Sequence, residues 1–229
     1  MWGTDLFHSM ICITLAIAGL RSDPVRAGMQ EHPSDSAFVA AMQPSVAAIH
    51  DAPTPEDLQA LYQAFDGLAT RFPRQWLPRY YQAHAAVLLS LEREGADARQ
   101  WLDRAQAHLD QTEGKDPDEA ECTALQVMIQ TGRVRLSPMM LGPTLVPQSF
   151  RMLDQALQKH PDHPRLYYLK GLNLYHMPAF FGGGCAAALP LLQTAQDKFQ
   201  TYDSPGPLHP HWGREQNLKL LKDCQAHEG

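Results

Sequence analysis

The segment Phe180-Phe181-Gly182-Gly183-Gly184 carries the most pointed chemistry in the chain. Consecutive glycines ahead of a helix leave backbone N–H groups open, and such a concavity can hold a phosphate or a carboxylate. The nucleotide motifs do not follow from it. No Lys-Ser or Lys-Thr comes after the glycines, no strand pattern precedes them, and the GxGxxG spacing is absent. The alternative is structural, with both Phe side chains plugged into the core and the glycines making a tight turn. Histidine is abundant, with 11 in the chain, yet it gathers only in His160-Pro161-Asp162-His163 and His209-Pro210-His211. A His-x-His pair can bind a divalent cation weakly. Both clusters fall in proline-rich turns, with no His-Glu-x-x-His helix and no Cys-His set, so no metal site is expected. There is no Gly-x-Ser-x-Gly elbow. The acidic groups Glu92/Glu94 and Asp116/Asp118/Glu119 fall at helix ends, where they offset the macrodipole. The residues point to a protein that is not an enzyme and carries no cofactor.

The elements that position these residues read as helices. Strand alternation is absent, and Ala, Leu and Gln dominate. A first helix runs from Ala37 to about His50, with Pro44 expected to kink or restart it. Thr54-Pro55-Glu56-Asp57 opens the second with a cap, an early Pro and early carboxylates. The third spans Gln75 to Glu94 and the fourth Ala98 to Gln111. Asp116-Pro117-Asp118-Glu119 caps a fifth, which runs to about Leu136. Ser137-Pro138-Met139-Met140-Leu141-Gly142-Pro143 reads as an apolar linker before a sixth helix, about Val146 to Lys159. The seventh covers Arg165 to His176, the eighth Cys185 to Tyr202, and the ninth, about Arg214 to Ala226, looks terminal.

A short phrase recurs within these helices. Leu102-Asp103-Arg104-Ala105 returns as Leu153-Asp154-Gln155-Ala156 and as Leu192-Gln193-Thr194-Ala195. Pro78-Arg79-Tyr80-Tyr81 and Pro164-Arg165-Leu166-Tyr167-Tyr168 precede the first and third copies. Repetition at tens of residues is the mark of stacked helix pairs. With small residues at Ala83, Ala98, Gly171 and Ala187 or Ala188, and Pro161 and Pro205 near pair ends, the chain resembles a divergent tetratricopeptide-repeat protein. It is similar to bacterial periplasmic members, some of which serve as accessory subunits of transporters. The phrases lie 51 and 39 residues apart rather than at the family's regular spacing of about 34. The resemblance implies an all-α, right-handed superhelix of about four helix pairs plus a C-terminal capping helix.

In such stacks the first helix of each pair lines a concave face. Trp76, Tyr80, Tyr81, Tyr167, Tyr168 and Tyr175 fall on those helices. Helix neighbours diverge by about 100°, so one tyrosine of each pair is expected to reach the groove or a helix edge. Trp76, Arg79, Tyr81, Arg165 and Tyr168, with Phe180, Phe181, Gly182, Gly183 and Gly184, are therefore the candidate contact residues. The expected role is a non-catalytic scaffold that binds a protein or peptide partner on its concave face. The alternative is a small-ligand carrier or transporter accessory, walled by the Phe180–Gly184 loop and the Met139–Pro143 linker. A deep apolar pocket between those segments favours the carrier. A shallow groove with Tyr81 and Tyr168 exposed favours the scaffold.

Bulk properties exclude other classes. Of the 229 residues, 44% are hydrophobic and 19% charged, which suits a folded domain rather than a disordered chain. A net charge of −6 gives no electrostatic reason to expect nucleic acid. The apolar run Met10–Leu20 is too short to span a bilayer and reads as the core of an export signal. Val25-Arg26-Ala27 offers a cleavage site, leaving residues 28–229 as a single repeat domain in the periplasm. If residues 1–27 are instead a buried first helix, the protein is cytoplasmic. No integral membrane segment is expected. Cys122, Cys185 and Cys224 follow the run. Their odd count and wide spacing exclude a disulfide framework and a CxxC metal site, while Cys185 and Cys224 can either bridge or pack as small buried thiols.

Overall fold

Several helices start where this chain offers a side-chain cap or a proline in the first turn. The computed structural model describes residues 33–226 apart from 50 and 53, and the expected export segment lies outside them. Among the described residues the chain is all-α. The helices are α1 (Pro33–Ala48), α2 (Pro55–Arg71), α3 (Leu77–Leu91), α4 (Gly95–Asp110), α5 (Glu119–Leu136), α6 (Pro138–Lys159), α7 (Pro164–His176), α8 (Cys185–Thr201) and α9 (Arg214–Ala226). Thr54 Oγ1 accepts the Asp57 N–H at 3.1 Å to cap α2. Asp118 Oδ1 accepts the Glu121 N–H at 3.0 Å to cap α5. Pro55, Pro78, Pro138 and Pro164 stand in first turns, where a missing N–H costs nothing.

Two expectations need correcting. The apolar stretch 138–143 is the first part of α6 rather than a linker, and Pro44 neither ends nor restarts α1. Pro138 opens α6 at a position that needs no N–H donor. Pro143 and Pro147 lie four apart and are both exposed. The carbonyls they leave unpaired belong to Met139 and Pro143, also exposed, where water can satisfy them.

The helices stack as pairs: α1 with α2, α3 with α4, α5 with α6, α7 with α8, and α9 closing against α8. Helices α3, α5, α7 and α9 also touch one another in turn and form one layer. The recurring phrase explains the second layer. Leu102, Leu153 and Leu192 are fully buried on α4, α6 and α8, with Ala105, Ala156 and Ala195 buried one turn on. Small residues on the facing helices let these leucines seat. A Cβ at Gly132 of α5 or Gly171 of α7 would come within 2.8 Å of a Leu102 or Leu192 methyl. The apolar interior forms two clusters, one centred on α1–α5 and one on α5–α9, with Met128 packed against both.

Cys185 and Cys224 are joined in a disulfide, with 4.9 Å between Cα atoms and 39 residues of separation. The bond ties the start of α8 to the end of α9 and thereby fixes the terminal helix. Closing a loop of that length removes unfolded-state entropy. Replacing both cysteines with Ser is expected to lower unfolding free energy by about 2–4 kcal/mol. Urea denaturation of the double variant, beside wild type with and without reductant, measures it. A variant as stable as oxidised wild type would mean that the bond constrains nothing. Cys122 stays a thiol; burial pushes it up to about 11, which leaves it inert at neutral pH.

Candidate ligand-binding site

The layer built from α3, α5 and α7 is where the groove was expected, and the chain itself covers the N-terminal part of it. Residues 202–213, which connect α8 to α9, fold back across these helices and bury Leu208 and Trp212. The Tyr81 hydroxyl donates to the Leu208 carbonyl at 2.9 Å, and Trp212 Nε1 donates to the Tyr80 hydroxyl at 2.9 Å. Tyr80 in turn donates to Glu121 Oε2 at 3.2 Å. Tyr80 and Tyr81 are both fully buried, Tyr168 is buried, and Trp76 packs edge-on against Tyr80. The expectation that one tyrosine of each pair reaches a groove therefore fails for Tyr80–Tyr81. The reason is that the returning segment seals the side of α3 that the next pair leaves open. In the second pair Tyr168 is the buried member and Tyr167 is half-buried, donating to the Pro161 carbonyl at 3.0 Å.

The two arginines beside the tyrosines are also committed elsewhere. Arg79 turns to α2, pairing with Asp66 at 2.8 Å, and hydrogen bonds from Arg79 and Gln82 lower the Asp66 carboxyl. Arg165 is 1% exposed and grips Glu121, its Nε 2.9 and 3.0 Å from the two carboxylate oxygens, with a further close bond from Nη2. His163 Nε2 lies 3.0 Å from the same carboxylate. The guanidinium also sits over the rings of Tyr202 and Trp212, at 5.3 and 5.5 Å. Burial alone would raise the Glu121 carboxyl, but the Arg165 charge and the bonds from His163 and Arg165 hold it at about 2. Trp76, Tyr81, Arg165 and Tyr168 are thus core residues, and Arg79 joins two helices.

The glycine loop departs from expectation in both directions. Ala179–Phe181 forms one turn of 3-10 helix, and Gly182 and Gly184 take left-handed backbone (φ 85° and 94°) that favours glycine. The amide groups are not open. Gly182 N–H donates to the Ala179 carbonyl, Gly183 N–H to Pro178, and Gly184 N–H to Leu174 at 2.8 Å. An anion cradle is therefore absent. Nor do the phenylalanines plug the core. Phe180 is 80% exposed and Phe181 68%, with ring centroids 3.9 Å apart.

Helix direction places this loop at the same end of the stack as the second apolar segment. Helices within a pair run antiparallel, so α3, α5 and α7 end where α4, α6 and α8 begin. Side-chain bonds tie these ends together. Arg135 Nη2 donates to the Ser90 carbonyl at 2.9 Å, Arg133 pairs with Asp103 at 3.2 Å, and Thr131 donates to Asn173 Oδ1 at 3.0 Å. At this end Met139 is 91% exposed and Met140 81%, and Leu91 lies at the end of α3, half exposed. Of the large apolar side chains exposed among the described residues, only Leu218 lies elsewhere. A cleft of about 140 Å³ opens here between α4, α5 and α6, lined by Arg99, Asp103, Arg133, Leu136, Ser137 and Leu141. It is smaller than the roughly 300 Å³ that encloses an ordinary small ligand, so a larger molecule would lie against the surface. His176, the last residue of α7, stands at the same end, and partial burial lowers its imidazole. Sequence reasoning named Phe180, Phe181 and the methionine segment but passed over Leu91 and Arg99, whose exposure at the same end has no local signal in the sequence.

No helix of the described residues is long and apolar enough to cross a membrane, and no cluster of three metal-ligating side chains occurs among them. No family model and no curated protein matches the chain. Among solved structures it is similar to the HusA haemophore from Porphyromonas gingivalis, at a TM-score of 0.73 and 27% sequence identity, over 86% of this chain and 98% of that one.

Proposed function

We propose that this protein is a non-catalytic carrier for a flat, apolar, carboxylate-bearing ligand of the haem class. One observation carries the reading: Met139, Met140, Phe180 and Phe181 stand exposed at one end of the stack. Leaving large apolar side chains in water is unfavourable, and such a patch marks a surface that something covers. Arg99 lines the neighbouring cleft beside the Arg133–Asp103 pair and suits a carboxylate through paired N–H groups. The likeness to a haemophore over nearly its whole length supports this ligand class. The helix pairs stay tetratricopeptide-like in this reading. The scaffold role loses its groove to residues 202–213. The disulfide fits an oxidising compartment, as an exported, periplasmic carrier requires.

The test is a titration of haemin into wild type and into the combined variant M139S/M140S/F180S/F181S, followed by absorbance and tryptophan quenching. Half-burying four such side chains contributes about 3 kcal/mol. The variant should therefore bind about 100-fold more weakly. Equal affinities would reject this end as the site.

A further inference from the structure

We infer that the cleft between α4, α5 and α6 holds a single carboxylate of the ligand, with Arg99 as its partner, so that the protein selects porphyrins bearing a free acid arm. The inference rests on the carrier reading and adds the group by which one ligand is told from another. The cleft measures about 140 Å³. That volume admits a short acid side chain but not a ring, since an ordinary small ligand needs roughly 300 Å³. Leu136 and Leu141 wall it with apolar surface, while Arg99, Asp103, Arg133 and Ser137 supply its polar groups.

The charges in the cleft leave one cation over. Arg133 lies 3.2 Å from Asp103, and the two offset each other. Two further arginines of this end are engaged as well, Arg93 with Asp97 at 2.9 Å and Arg135 with the Ser90 carbonyl at 2.9 Å. Arg99 has no ion pair, hydrogen bond or ring contact among the described residues, and the Ser137 hydroxyl has no partner there either. A guanidinium offers two parallel N–H groups to one carboxylate, and a serine hydroxyl can donate to the same group. A second carboxylate would meet Asp103 and find no unpaired cation. The cleft joins the apolar patch through α6. Ser137 and Leu141, which line it, stand about one helical turn apart, and the exposed Met139 and Met140 lie between them in that turn. A ring resting on the methionines therefore has this cleft beside it.

The experiment titrates haemin, its monomethyl ester and its dimethyl ester into wild type, Arg99→Gln and Asp103→Asn, followed by absorbance and tryptophan quenching. Both residues are exposed on α4, so the variants keep the fold. Wild type should bind haemin and the monoester within about twofold of each other, and the diester about fivefold more weakly. Arg99→Gln should bind all three about as weakly as wild type binds the diester, because the group that reads the acid is gone. Asp103→Asn releases Arg133 and should bind haemin about threefold more tightly than wild type does. Preference for haemin over the diester that survives in Arg99→Gln would overturn the assignment, as would haemin binding by Asp103→Asn no tighter than that of wild type. A monoester as weak as the diester would show that both carboxylates are held and reject the single arm. Equal binding of all three ligands by wild type would remove the subsite and leave the carrier, whereas binding of none would sink the carrier reading itself.

Discussion

Glu121→Gln should lower the unfolding free energy by about 3–5 kcal/mol at neutral pH. Glu121 is fully buried and receives Arg165, His163 and Tyr80, which come from α7, the turn before it, and α3. The amide keeps the shape but removes the charge, leaving the Arg165 guanidinium dry and unpaired. The companion change Glu121→Leu/Arg165→Met removes both charges, and much of the loss should return. The pH dependence has a fixed sign. The carboxyl sits at about 2 in the fold against an ordinary 4.5, so its contribution is complete above 4.5 and is lost as pH falls toward 2. The stability gap between wild type and Glu121→Gln, measured by urea denaturation across pH, should hold at neutral pH and close below about 4.5. A gap under about 1 kcal/mol at neutral pH would show that Arg165 does not depend on this partner.

The helices were legible because their signals are local. Thr54 and Asp118 cap α2 and α5 as their positions imply, and Leu102, Leu153 and Leu192 mark α4, α6 and α8. The start of α6 was not legible, because three prolines within ten residues argue against a helix until it is known that their faces are exposed. The buried pair was hidden more deeply. Nothing in the sequence singles out Glu121 beside the acidic cap Asp116/Asp118/Glu119, and Arg165 reads as a groove residue beside tyrosines. Only tertiary packing brings the 44-residue separation to bonding distance. The candidate site divides the same way. Phe180 and Phe181 stood out by composition, but whether they turn inward or outward depended on Gly184 closing back onto Leu174. The amides that seemed free for an anion are used in that closure.

Trp212→Ala tests the other non-local feature, the segment that seals the layer of α3, α5 and α7. Trp212 is 6% exposed, donates to Tyr80, accepts from Arg165 at 3.4 Å and packs against His84. Truncating a buried tryptophan costs about 3–5 kcal/mol, and here it also leaves the Tyr80 hydroxyl without its donor. Residues 202–213 form no helix, and their anchors are few: the Tyr81–Leu208 bond, Leu208 in the core, and Gly213 (φ 101°) against Phe199 and Arg165. Loss of Trp212 should therefore free the segment while the helices persist, seen as faster amide exchange across 203–213 than within α3 or α5. Uniform exchange across the chain would mean that segment and helices unfold as one unit. The same variant separates the two functional readings. A ligand held at the Met139–Phe181 end lies at the far ends of these helices, so haemin affinity should stay within about twofold of wild type. If the concave layer were the binding face, unsealing it would change that affinity by far more, and the apolar end would need another occupant.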